Sequence, residues 1–187
     1  MDQDTARTRL LDAAEQLFYG RGIQSVGMDD IRTASGVSLK RVYQLYPAKD
    51  ELVAAYLDRR DEQWHARLAG HVSAAGTDPV TRVLAVFDWL GSWFGEPGFR
   101  GCAWINCYGE LGTVSPLVAR HAAAHKTRFR GYLAGLVTEA GLPAGLADQL
   151  SLLAEGAMVT AGIFRGTAPA RDARAAAQAL IEHASEA

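Results

Sequence analysis

Residues 28–49 read MDDIRTASGVSLKRVYQLYPAK, and this stretch decides the fold. It divides at Gly36-Val37-Ser38 into two short helical segments. The first runs from about Met28 to Ser35 and stops at Gly36, because glycine takes the left-handed conformation of a helix end without steric cost. The second runs from about Ser38, a suitable N-cap, to Leu45, and Pro47 blocks its continuation. Ahead of them, Leu10, Leu11, Ala14, Leu17 and Phe18 mark one buried face of a first helix that Gly20 and Gly22 end. Three short helices with a tight turn between the second and third have the spacing of a helix-turn-helix.

Charge supports that reading. Between Ile31 and Lys49 the basic residues are Arg32, Lys40, Arg41 and Lys49, and there is no acid. Asp29, Asp30, Asp50 and Glu51 flank the window. The whole chain of 187 residues carries a net charge of -2, which excludes a general basic coat for nucleic acid. Attraction to phosphate must then come from a local patch, since it is screened within about 10 Å in salt.

Outward from this core, nearly every segment reads as helix. Lys49 begins a long fourth helix, with Asp50 and Glu51 in its first turn, that reaches about His71. Asp78-Pro79 opens a fifth, a short sixth spans about 102–111, and Ser115-Pro116 starts a seventh that Gly141 ends. Pro143 opens the eighth and Pro169 the last. Nine helices and no strand are expected: an all-α fold. No apolar run approaches the length of a membrane span, and the N-terminus lacks an export signal, so the cytoplasm is the expected compartment.

Taken together, Leu11-Asp12-Ala13-Ala14, Leu17-Phe18, Gly22, Asp30-Ile31, Gly36-Val37-Ser38, Val42-Tyr43, Tyr46 and Lys49-Asp50-Glu51-Leu52 resemble the N-terminal signature of the TetR family of repressors. The resemblance covers roughly residues 6–56; the remainder is similar only in helical content and length. It implies a DNA-binding domain over 1–48, joined through the fourth helix to a helical ligand-binding and dimerisation domain over 49–187. It implies a homodimer on a palindromic operator in double-stranded DNA, released by a small-molecule effector that the sequence does not identify. Lys40 and Arg41 would reach base edges or phosphates, Leu39 a thymine methyl, and Tyr43, Lys49, Ser38 and Thr33 would serve as further contacts. Without the motif, Lys40 and Arg41 would read as a solvated face. Three positions depart from the family pattern. Gly27 stands where a threonine is common, Arg32 where a small alanine is usual, and Ala48 where a serine would cap the fourth helix.

The second half is rich in large aromatics. Trp64, Trp89, Trp93, Trp104, Tyr108, His125 and Phe129 are the candidate pocket residues, with Trp104 and Tyr108, four apart, expected on one face. Aromatics at helical spacing are also ordinary core. His121 and His125 lie four apart without a third ligand in sequence, so no metal or other cofactor is expected. Cys102 and Cys107, five apart, suggest no internal disulfide, and a redox role for either is left open. Ala154, Ala157, Met158, Ala161 and Leu180 are the candidate dimer interface, small residues permitting close helix approach. No nucleophile signature, Gly-rich phosphate loop or Glu-x-x-His pair supports catalysis; the rival is an all-helical small-molecule-binding protein or enzyme that does not bind DNA.

Overall fold

The structure, a computed structural model, describes the backbone of residues 1–186 and the side chains of residues 1–185. Among the described residues there are nine helices and no strand. They are α1 (Gln3–Arg21), α2 (Met28–Ser35), α3 (Leu39–Leu45), α4 (Lys49–Ala74), α5 (Pro79–Phe94), α6 (Ala103–Leu111), α7 (Pro116–Glu139), α8 (Leu146–Phe164) and α9 (Ala168–Glu186). The all-α class and the helix order are those expected. The eighth helix begins at Leu146; Pro143 instead shapes the turn ahead of it, its carbonyl accepting from the Leu146 amide at 2.9 Å. No described helix is long and apolar enough to cross a membrane.

The chain forms two compact units, which divide it differently from the expected boundary at 48/49. The first comprises residues 1–62 and 103–124, the second residues 63–102 and 125–187. The helices α4 and α7 each contribute to both.

In the first unit, Leu10, Ala14 and Phe18 of α1 meet Ile31 of α2, Val42 of α3, Leu52, Tyr56 and Leu57 of α4, and Trp104 of α6 in one buried core. The α1 N-terminus is capped by Asp2, whose carboxylate accepts from the Thr5 amide at 2.9 Å. That N–H, with the Thr5 hydroxyl, holds the Asp2 carboxyl down at about 2. Phe18 meets Tyr56 edge-on at 5.9 Å, and burial pushes the Tyr56 phenol well above its usual range. At the rim, Arg59 reaches Asp12 at 2.7 Å and Glu15 at 2.9 Å, while Arg60 reaches Glu15 at 2.7 Å. These bonds fasten α4 along α1.

The turn between α1 and α2 is held from two sides. Lys49 Nζ donates to the Ile23 carbonyl at 2.5 Å. From α6, the Glu110 carboxylate accepts from the Gln24 amide at 2.8 Å, and the Gln24 side chain donates to the Glu110 carbonyl at 2.6 Å. Gly22 makes the approach possible. Its φ of 87° and ψ of 149° are open only to glycine, and a Cβ there would lie 3.0 Å from Glu110 Oε1. Further contacts bind α7 to α4: Ser115 donates to the Asp50 carboxylate and His121 Nδ1 meets Asp58, both at 2.7 Å.

The second unit is built around Trp64. Its ring meets Trp89 at 4.7 Å, His125 and His65 at 5.0 Å, Phe129 at 5.3 Å and Trp93 at 5.8 Å, all edge-on. Small residues let backbones close up elsewhere. A Cβ on Gly162 would lie 3.1 Å from the Gly101 Cα, and one on Gly91 would touch the Ala170 methyl at 3.5 Å.

Gly22→Ala combines a backbone geometry that L side chains avoid with a tight contact against the end of the Glu110 side chain. It is expected to cost about 2 kcal/mol or more of stability. Gly36→Ala, at φ 66° but with open space around it, should cost only about 1–2 kcal/mol. Urea unfolding monitored by circular dichroism checks both, and a loss for Gly22→Ala smaller than that for Gly36→Ala would contradict this ordering.

Candidate nucleic-acid interface

The helix α3 has seven residues, too few to be stable alone, so its placement is borrowed from α1 and α2. Val42 at 0% exposure and Tyr46 at 4% anchor it inward. Gly36, in the left-handed conformation, turns the chain after α2, its amide donating to the Arg32 carbonyl at 3.0 Å. Ser38 then takes the extended N-cap conformation, without a side-chain capping bond.

The opposite side of α3 faces solvent. Ser38, Leu39, Lys40, Tyr43 and Gln44 are exposed and Arg41 is half-buried. Leu39 at 49% and Tyr43 at 47% are among the most exposed large apolar side chains of the first unit. Exposing them costs hydrophobic free energy, which contact with a partner would recover. Neither Lys40 nor Arg41 has an ion pair among the described residues, and no acid lies on α3. Beside them, the Arg7 guanidinium stands 5.9 Å over the Tyr46 ring, and the buried Tyr46 hydroxyl has no hydrogen-bond partner among the described residues. Burial raises the Tyr46 phenol, which keeps it a neutral donor.

Two of the expected contacts have other duties. The Lys49 ammonium is engaged by the Ile23 carbonyl, so its first role is to brace the α1–α2 turn. The Thr33 hydroxyl donates to the Asp29 carbonyl at 2.9 Å, one turn back along α2, and would have to release that bond before donating to a phosphate. Arg32 is paired as well. Its guanidinium meets Asp29 at 2.6 Å, which raises the arginine and lowers the aspartate. Its charge is therefore balanced locally rather than added to the patch.

The aromatic candidates divide. Trp64, Trp89, Trp93, His125 and Phe129 come together in the second unit, each no more than 4% exposed and packed ring against ring. Trp104 and Tyr108 belong to the first unit and do not share a buried face. Trp104 is 1% exposed, whereas Tyr108 is 54% exposed. The reason is local: Tyr108 lies a turn nearer the end of a short helix, with its ring folded over Gly112, where a Cβ would come within 2.5 Å of it. Sequence reading missed a separate open cleft of about 340 Å³ between α5 and α9, lined by Asp88, Ser92, Thr167, Arg171 and Arg174 among others.

The dimer candidates need correction. Ala154, Ala157, Met158 and Ala161 are at most 5% exposed, covered by the chain's own packing, and Leu180 is half-buried. Their small size serves helix packing within one chain. The apolar side chains that α8 leaves uncovered are Leu152 at 73%, Val159 at 41%, Ile163 at 67% and Phe164 at 78%. The first three repeat at helical spacing on one face.

Comparison with known proteins agrees with this geometry. Residues 10–56 match the family of bacterial regulatory proteins of the TetR type. A TetR-family transcriptional regulator from Streptomyces coelicolor superposes with a TM-score of 0.87 at 27% identity, covering 97% of each chain. A TetR-type transcriptional regulator from Streptomyces avermitilis is 32% identical, with a TM-score of 0.74, covering 92% of this chain and 98% of that one. An HTH-type transcriptional regulator from Mycobacterium tuberculosis is 39% identical over 81 residues, 43% of this chain. That match spans only 40% of the mycobacterial protein's length.

At the N-cap of α2, Gly27 supplies only half of a capping box: its amide donates to the Asp30 carboxylate at 2.7 Å, but it has no side chain to return the bond. A Cβ there meets nothing nearer than 3.5 Å. Gly27→Thr should therefore stabilise the protein by a few tenths to about 1 kcal/mol. Thermal unfolding checks this, with an expected rise in Tm of a few degrees.

Proposed function

The chain belongs to the TetR family of bacterial transcriptional regulators, and from that premise we propose that it is a repressor whose homodimer binds a palindromic operator and releases it on binding a small molecule. Residues 1–48 are the reading head and 49–187 the effector and dimerisation region. It acts in the cytoplasm, without a catalytic function. One observation carries the DNA reading: α3 presents Lys40 and Arg41 without internal partners, beside exposed Leu39 and Tyr43, on an acid-free surface.

In the major groove, the cations at the start of α3 meet base edges or phosphates, while Leu39 offers an aliphatic contact to a thymine methyl. Tyr43 and Ser38 donate to the backbone, which fixes the register of the helix without reading sequence. An operator with two half-sites requires two reading heads related by a two-fold axis. The exposed Leu152, Val159 and Ile163 face of α8 is the surface through which we pair the protomers.

The effector site is the aromatic cluster around Trp64. Its rings already fill the space between them, so a ligand enters only by displacing some of them. The free energy of that displacement is the means by which a ligand distinguishes two conformations. Both α4 and α7 have residues in the cluster and residues in the first unit, and they transmit the change to the reading head.

Fluorescence-anisotropy titration against the DNA upstream of the protein's own coding sequence tests the reading. Lys40→Ala/Arg41→Ala should weaken binding by at least about tenfold and flatten the log–log salt dependence by up to about 2. The helical content should be unchanged. Equal binding by the variant and the parent would remove α3 as the reading element.

A further inference from the structure

We propose that Cys102, Lys126 and Glu155 form a peroxide-responsive site, in which oxidised Cys102 is trapped by the Lys126 amine as a sulfur–nitrogen crosslink. The three side chains meet within the second unit. Lys126 Nζ lies 3.3 Å from Cys102 Sγ and 2.6 Å from Glu155 Oε2. The sulfur is covered, with Cys102 at 2% exposure, while the lysine and glutamate side chains are 29% and 24% exposed. A small oxidant therefore approaches past a cation and an anion to reach a nucleophile. A buried cysteine that only fills space needs no ammonium against its sulfur.

The chemistry balances in two steps. The Cys102 sulfur, having lost its proton, attacks one peroxide oxygen; an S–O bond forms, the O–O bond breaks, and the expelled hydroxide leaves as water. Sulfur is oxidised to the sulfenic acid and the peroxide is reduced. Lys126, after passing an ammonium proton to Glu155, attacks the sulfenyl sulfur with its nitrogen lone pair. An S–N bond forms, the S–O bond breaks, and hydroxide leaves with the second amine proton as water. Sulfenic acids condense in this way with nitrogen nucleophiles as well as thiols, and two equivalents of a reducing thiol reverse the bond.

The place of the two residues in the chain gives the crosslink a consequence. Cys102 and Lys126, 24 positions apart, bracket residues 103–124, the segment that belongs to the first unit. That segment carries Glu110, Ser115 and His121, which hold Gln24, Asp50 and Asp58. Joining its two ends converts it into a closed ring and restricts how it can move. The site is independent of the DNA-binding reading, and its test requires no DNA.

The purified full chain is treated with hydrogen peroxide and analysed by intact and peptide mass spectrometry, alongside Cys107→Ser and Lys126→Arg. The parent and Cys107→Ser should each lose two hydrogens in mass, yield a crosslinked peptide pair containing Cys102 and Lys126, and recover with dithiothreitol. Lys126→Arg keeps a cation for Glu155 but removes the amine, so Cys102 should accumulate as a sulfenic acid captured by dimedone. The Cys107→Ser arm reads the native lysine directly, so the test survives if Lys126→Arg fails to fold. A mass loss abolished by Cys107→Ser would identify a disulfide instead and overturn the proposal. So would a Cys102 that stays reduced while a free cysteine peptide in the same tube oxidises.

Discussion

A reading helix of seven residues cannot hold its own position, and the first unit is organised around supplying that position from outside. Its inward face is fixed by the burial of Val42 and Tyr46. Its approach is fixed upstream, at the α1–α2 turn, where Lys49 holds the Ile23 carbonyl and Glu110 holds both the amide and the side chain of Gln24. The Glu110 carboxylate lies so close to Gly22 that a Cβ there would stand 3.0 Å from Oε1. This turn is thus the point at which the N-terminal helices, the start of α4 and the end of α6 constrain one another.

Charge is distributed in keeping with that organisation. In a chain with a net charge of -2, Arg59 and Arg60 of α4 have carboxylate partners in Asp12 and Glu15 of α1. Arg32, although next to the reading helix, is balanced by Asp29. Lys40 and Arg41 on α3 have no carboxylate partner among the described residues, and the field of such side chains acts over about a Debye length. Such a patch draws phosphate locally without making the protein a general polyanion binder.

Much of this was legible in the sequence because its signals are local. Gly36, Ser38 and Pro47 mark helix ends within a few residues of where they act, and the acid-free window needs only counting. What was not legible depends on contacts far apart in sequence. Nothing in the pattern around 103–124 says that it folds with residues 1–62, and the Glu110–Gln24 contact spans 86 positions. Trp104 and Tyr108 have the right spacing for one face, but spacing does not fix burial: Trp104 is 1% exposed and Tyr108 54%. The small residues of α8 were read as a surface for a partner, whereas they pack inside the chain. Leu152, Val159 and Ile163 of the same helix are left uncovered. Lys49 was assigned to phosphate through the family resemblance, and only the structure reveals the Ile23 carbonyl beside it.

The central claim is that α3 reads a specific DNA sequence as one of two symmetric heads. The most direct measurement is selection of bound fragments from a random duplex library by the purified protein, followed by footprinting of the enriched sequence. The account predicts enrichment of an inverted repeat whose half-sites are protected together and whose centres lie one helical turn, or a multiple of it, apart. Recovery of no motif by a folded protein, or of a single asymmetric site protected on one side only, would contradict it.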